Sequence, residues 1–348
     1  MEKDSAFYIE RARNKLRIPN YMSALADASK AAQLNPKNAE AYYLCGTIYY
    51  CIEQYGRALQ DLDRAIRLSP KDCDMYFCRA MTHMNLGQDE RAIEDFTKTI
   101  KFTPPNAPVN IDAYFNRGLS YGQLEQYERA IQDFNKAVKL DPNFAGAYHN
   151  RGYALACLGQ HERAIENYDK AMELDPHFAT TYLARGDSYN HLGRHEAAIK
   201  DYDAALDIDP NLIAAYANRG WAYAELKQHE RAIEDFDKAI ALFPDDANLY
   251  NNRGWAYAEL NQYERALEDL NKAIALAPNF AHAYDSRGCL YKKFEQYERA
   301  IEDFDKAIEL DPNLAAVYQN RGECRQALGD EAKAQSDFDK ARALGYTC

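Results

Sequence analysis

The stretch Asn252–Phe280, NRGWAYAELNQYERALEDLNKAIALAPNF, decides the fold. Its first nine residues recur letter for letter at Asn218–Leu226, an offset of 34 residues. The same frame aligns NRGYALACL from Asn150 and SRGCLYKKF from Ser286. Its second part, ERALEDLNKAIALAP, aligns with ERAIENYDKAMELDP from Glu162, ERAIEDFDKAIALFP from Glu230 and ERAIEDFDKAIELDP from Glu298. Self-similarity at a fixed period means stacked units, each too small to bury its own apolar face. Ten units of 34 fit the chain of 348 residues, starting at Ser5, Ala39, Cys73, Ile111, Ala145, Ala179, Ile213, Ala247, Ala281 and Ala315. Four extra residues, 107–110, interrupt the register inside TPPNAPVN.

Each unit reads as two helices, as in Ala247–Leu260 and Tyr263–Leu276. Proline at unit position 32 (Pro36 through Pro312 in the first nine units) ends the second helix, because it lacks the N–H a helix needs. Position 15 is Gly in four units (Gly87, Gly159, Gly193, Gly329), where a left-handed helix end is easiest. At 100° per residue, positions 4, 8 and 11 share one face, and 20, 24 and 27 another. Small residues at 8, 20 and 27 let the helices approach. Aromatics at 4, 11 and 24 fill the remaining space, which assigns most of the 27 tyrosines to packing.

In these positions the chain resembles the tetratricopeptide repeat (TPR) family: Tyr114, Tyr148 and Tyr216 at 4; Gly118, Gly152 and Gly220 at 8; Ala130, Ala164 and Ala232 at 20; Phe134, Tyr168 and Phe236 at 24; Ala137, Ala171 and Ala239 at 27. The match covers nearly the whole chain. It implies an all-α fold, a TPR α-solenoid in which antiparallel helix pairs form a right-handed superhelix. It also implies that first helices line the concave surface and contact protein ligands.

The expected layout is a leader at 1–4, units one to three at 5–106, the insertion at 107–110, and units four to ten at 111–348. Pro104, Pro105 and Pro108, with Ala for Gly at position 8 in units one and three and Pro19 in the first link, suggest two blocks with a bend between them. The helix at 329–344 carries Glu331, Gln335 and Arg342 where other units are mostly apolar, so it is expected to face solvent and end the array. Arg at position 7 and Asp at position 23 each occur in nine units; a pair within or between units is expected.

Trp221 and Trp255, the only tryptophans, stand at position 9. They lie on the stripe 2, 6, 9 and 13, away from the intra-unit core. Position 6 is Asn in five units, Asn116, Asn150, Asn218, Asn252 and Asn320; the exceptions after the insertion, Ala184 and Ser286, are both small. Asn is a mediocre helix former, and its amide suits a peptide backbone. The resemblance implies that such a row can hold a peptide main chain. The expected peptide site is Asn116, Asn150, Tyr153, Asn218, Trp221, Asn252, Trp255 and Asn320, with His149, Asn251, His282 and Asp285 as neighbours. Shared ancestry of near-identical units is the alternative origin of the repeated Trp.

Positions 2 and 6 hold no Lys or Arg, which argues against a clamp for an acidic C-terminus. The stripe has Glu10, Glu40, Asp74, Asp112, Asp187, Glu225 and Glu259 against Arg13, Arg17 and Lys293, so a neutral or basic peptide fits better. The net charge of −12 disfavours nucleic acid. No apolar run suits a membrane span, and MEKDSAFYIE places charges where a signal peptide is apolar. A cytoplasmic protein with free cysteines is expected. No phosphate loop, nucleophile elbow, HExxH motif or cysteine pair of metal-ligand spacing occurs, so neither enzyme activity, cofactor nor metal is expected. The expected function is a noncatalytic protein-interaction module that binds an extended peptide in its concave groove. The alternative is a self-assembling scaffold, a homo-oligomer with its partner surface at the ends or convex face.

Overall fold

A computed structural model describes residues 4–16, 18 and 20–346. Among them are twenty α-helices and no strand. Pro19, Arg17, Cys348 and most of the leader lie outside the described residues. First helices start at the ten expected positions but one: the helix Val109–Gln123 begins inside the insertion, so Val109 and Asn110 extend it by two residues. From repeat 2 on, first helices stop one residue short of the expected end, as in Ala247–Glu259; second helices such as Tyr263–Leu276 match it, except the last, which ends at Ala343.

The chain divides into two compact halves, Met1–Pro176 and His177–Cys348, with five helix pairs in each. Within a half, each helix packs against its partner in the repeat, and each second helix packs on the first helix of the next repeat. Both halves are α-solenoids held by the same contacts. Ala at 20 and 27 is fully buried, as at Ala130, Ala137, Ala232 and Ala239. A Cβ at Gly118, Gly152, Gly186 or Gly220 would stand 2.6–2.9 Å from the ring of Phe134, Tyr168, Tyr202 or Phe236, so only hydrogen fits there. In repeat 1 the pair is Ala12 against Ala28, both fully buried.

The turn between the helices always takes a left-handed residue at position 15 where described. Gly87, Gly159, Gly193 and Gly329 supply it, but Glu53, Glu125, Lys227, Asn261 and Glu295 adopt φ of 57–58°. Side chains other than Gly pay strain for this geometry, roughly 1–2 kcal/mol each.

The Arg–Asp pairing runs both within and between repeats. Arg253 Nε and Nη2 hold Asp269 at 2.8 and 2.7 Å, and Nη1 reaches Asp237 of the preceding repeat. Arg79 joins Asp95 to Asp63 in the same way, and Arg321 joins Asp337 to Asp305. In repeat 5, Asn167 takes the Asp place and accepts from Arg151 at 2.6 Å. The hydrogen bonds to Asp269 hold the Arg253 guanidinium above its ordinary pKa. Repeat 2 breaks the row: Cys45 replaces Arg, and burial lifts the Asp61 carboxyl above its usual range.

Glu331, Gln335 and Arg342 of the last helix, Glu331–Ala343, are all exposed. No helix among the described residues is long and apolar enough to cross a membrane.

Candidate functional site

Position 9 lies off the face that carries core positions 4, 8 and 11, and in repeats 5, 7 and 8 it is exposed. Trp221 and Trp255 are accordingly 42% and 41% exposed, and Tyr153, at the same position, is 54% exposed. The tryptophans are not free rings. His195 meets Trp221 edge-on at 5.6 Å, and His229 meets Trp255 at the same distance. Each His is position 17 of one repeat and each Trp is position 9 of the next, so the partly exposed indole is braced across the repeat boundary.

The asparagine row is half-buried and engaged. Asn116 and Asn150 donate from Nδ2 to the carbonyls of Asp112 and Gly146, each at 2.8 Å. Asn218 donates to Asp187 Oδ1 at 2.7 Å, and Asn252 accepts from Asn251 at 3.3 Å. Asn320 accepts from Lys292 at 2.6 Å and donates to Cys289 Sγ at 3.4 Å. An amide has two donors and two acceptor sites, so each retains capacity beyond these bonds.

Cavities open along this stripe. One of about 230 Å³ is lined by Asn150, Tyr153, Tyr127 and Phe134. A second, about 320 Å³, is lined by Asp187, Asn190, His191, Asn218 and Trp221. A third, about 230 Å³, lies among Trp255, Glu259, Asp285, Cys289 and Lys293. Glu10, Asp74, Asp112, Glu225 and Glu259 are exposed, with Arg13 and Lys293 the exposed bases among the expected stripe residues.

Tetratricopeptide repeat models match residues 9–72, 74–106, 111–144, 145–178, 177–245, 219–287, 283–314 and 304–336. The chain belongs to the tetratricopeptide repeat family. A TPR protein from Parabacteroides merdae is 21% identical over 72% of this chain and 98% of its own, with a TM-score of 0.59. The Cut9–Hcn1 hetero-tetramer of the APC/C matches 99% of this chain and 94% of its own at 15% identity and a TM-score of 0.54. At these identities the likeness shows the fold alone. No protein of curated function matches the sequence.

Within the TPR frame, sequence reasoning placed the tryptophans but missed what braces them. The signal was present: His195 and His229 each precede a Trp by 26 residues. It also passed over Tyr202. A Tyr at position 24, where Phe is commoner, buries a hydroxyl that must find a partner. Tyr202 is fully buried, and its hydroxyl donates to Asp187 Oδ1 at 2.7 Å and accepts from Asn190 at 2.9 Å. His149 is half-buried beside the Tyr168 ring, and burial pushes its pKa down to about 4. His282 is exposed, and Asn251 Oδ1 is buried without a hydrogen bond.

The seven described cysteines are unpaired. Burial pushes the Cys45, Cys78 and Cys324 thiols up to about 11 and Cys289 to about 12, so they stay protonated and poorly nucleophilic. Among the described residues no cluster of His, Cys, Asp or Glu could hold a metal ion.

Proposed function

We propose that this TPR protein is a noncatalytic protein-interaction scaffold that binds an extended, neutral or basic peptide along its first-helix stripe. The observation that carries the reading is the pair of indoles at position 9, each about two-fifths exposed and each braced by a histidine of the preceding repeat. A held aromatic ring loses little freedom on binding, which is what an interface anchor needs. Asn116, Asn150, Asn218, Asn252 and Asn320 would hold the peptide backbone, and Tyr153, Trp221 and Trp255 its side chains. The exposed acids beside them favour a neutral or basic segment.

The test is selection of peptides of about a dozen residues from a random displayed library, followed by titration against wild type and a folded Trp221→Ala, Trp255→Ala double variant. Loss of binding on the variant supports the groove. Equal binding to both places the peptide elsewhere.

A second reading has its own observation. On repeat 1, Phe7, Met22 and Leu34 are 37%, 70% and 46% exposed, and such exposed apolar side chains offer copies a point of contact. Light scattering over a concentration series separates the two: a mass that rises with concentration and returns to the monomer in Met22→Glu favours self-assembly.

A further inference from the structure

Buried and half-buried carboxylates fall into two kinds among the described residues. Asp27, Asp95, Asp133, Asp201, Asp235, Asp269, Asp303 and Asp337 each take hydrogen bonds from an arginine of their own repeat. Burial lifts three others, Asp61, Asp187 and Asp285, above the ordinary carboxylate range. Asp61 sits on a second helix, where Cys45 has replaced the arginine. The other two sit on first helices, each lining a cavity beside a tryptophan.

These two cavities differ in the cations that stand near the carboxylate. The Asp285 cavity is also lined by Lys293, and Lys292 lies near enough to favour the ionised carboxylate. The Asp187 cavity has no lysine or arginine in its lining: Asn190, His191, Asn218 and Trp221 complete it. His191 favours the ionised carboxylate, but desolvation is the larger effect and acts the other way.

The Asp187 carboxylate and the indole are fixed by one continuous network. Tyr202 Oη and Asn218 Nδ2 both donate to Asp187 Oδ1 at 2.7 Å. Asn190 Nδ2 donates to Tyr202 Oη at 2.9 Å, Asn190 Oδ1 meets His195 Nδ1 at 3.1 Å, and His195 braces Trp221. Both bonds to the carboxylate use Oδ1. Oδ2 makes no hydrogen bond among the described residues. The cavity thus sets a half-buried carboxylate with one unbonded oxygen beside a partly exposed indole, and both attract a cation. Its volume of about 320 Å³ admits one long side chain, and exposed Glu225, in the repeat that carries Trp221, adds negative charge.

We propose that the cavity formed by Asp187, Asn218 and Trp221 is a specificity subsite for one basic side chain, lysine or arginine, of the peptide partner. The proposal rests on the groove reading above.

The experiment uses the full chain and the same random peptide library. Peptides that bind wild type and lose binding in the Trp221→Ala, Trp255→Ala variant are expected to carry Lys or Arg at one recurring position. In a synthetic peptide, replacing an arginine there by citrulline, its neutral isostere, is expected to weaken binding at least about tenfold. In Asp187→Asn the arginine and citrulline peptides should bind alike. Asn keeps an oxygen at Oδ1 for both donors and changes only Oδ2 and the charge, so the network survives. The citrulline comparison on wild type stands whether or not that variant folds. Groove-bound peptides without a basic position, or arginine–citrulline discrimination unchanged in Asp187→Asn, overturn the subsite and leave the groove standing. If no selected peptide depends on the tryptophans, both readings fall.

Discussion

At the residue scale, two positions carry local costs that substitution can expose. Position 15 needs positive φ, and Glu125 and Lys227 supply it against their preference. Glu125→Gly and Lys227→Gly remove that strain, although glycine also loosens the unfolded chain. Each is expected to raise stability by about 0.5–1 kcal/mol. Gly193→Ala, at the same position, is expected to lower it by about 1 kcal/mol; urea unfolding of all three variants checks the sign. Asp187 carries a different cost. Because burial raises its folded pKa, the folded state holds that proton more tightly than the unfolded chain does. The penalty for ionised Asp187 is therefore present in full above its folded pKa. It fades as pH falls toward the unfolded carboxylate value of about 3.9. Asp187→Asn is expected to stabilise the protein at neutral pH, with a gain that shrinks on acidification through that window. A gain that grows as pH falls would reverse the assignment.

At the element scale, the helix pair depends on how closely its axes can approach. Gly118 leaves no room for a Cβ, which would stand 2.7 Å from Phe134 Cε1, whereas Gly122 on the same helix has nothing within 4 Å. Gly118→Ala should cost about 1–3 kcal/mol by overpacking. Gly122→Ala should be neutral or stabilising by up to about 1 kcal/mol. Thermal melts of the two variants make the comparison, and equal effects would deny the close-approach account. The Arg–Asp row behaves similarly, since one arginine holds two unlike partners. Asp235 is buried, while Asp203 has a half-exposed side chain. Asp235→Ala leaves Arg219 largely buried with its main partner gone and should cost about 3 kcal/mol. Asp203→Ala removes an exposed pair member and should cost no more than about 1 kcal/mol. Chemical denaturation of the two variants separates these values.

At the scale of the whole molecule, stability in a repeat array is a sum of local and nearest-neighbour terms. Both tryptophans lie in His177–Cys348, so their fluorescence reports on that half alone. Phe96, fully buried in the other half, should cost about 3–5 kcal/mol on truncation to Ala. Phe96→Ala is expected to move the early part of the far-UV circular dichroism transition while the fluorescence transition shifts little. Coincident shifts by both probes would mean that the array unfolds as one unit. The division at Pro176 lies away from the insertion at 107–110, around which the irregular prolines suggested a bend. The helix Val109–Gln123 absorbs half of the inserted residues, and Asn110 is buried there, donating to Pro104 O at 2.6 Å.

The sequence by itself determined the repeat, the helix pairs and the faces they bury. A 34-residue period, mostly with Gly at 8, Ala at 20 and 27 and Pro at 32, restates nearly the same packing problem in each unit, and helix periodicity solves it locally. It also placed position 9 off the face of positions 4, 8 and 11, because an angle on a helix wheel follows from spacing alone. Only the tertiary structure decided what stands next to position 9. The bracing of Trp221 by His195, and the closing of Asp187, Tyr202 and Asn190 into one network, join three helices of two repeats. Such contacts depend on how one repeat is laid on the next, a rotation and a distance that the spacing of residues along a single helix does not contain. The same holds for charge. Sequence shows Asp187 as one acid among many on a stripe, and only burial without an arginine partner sets it apart.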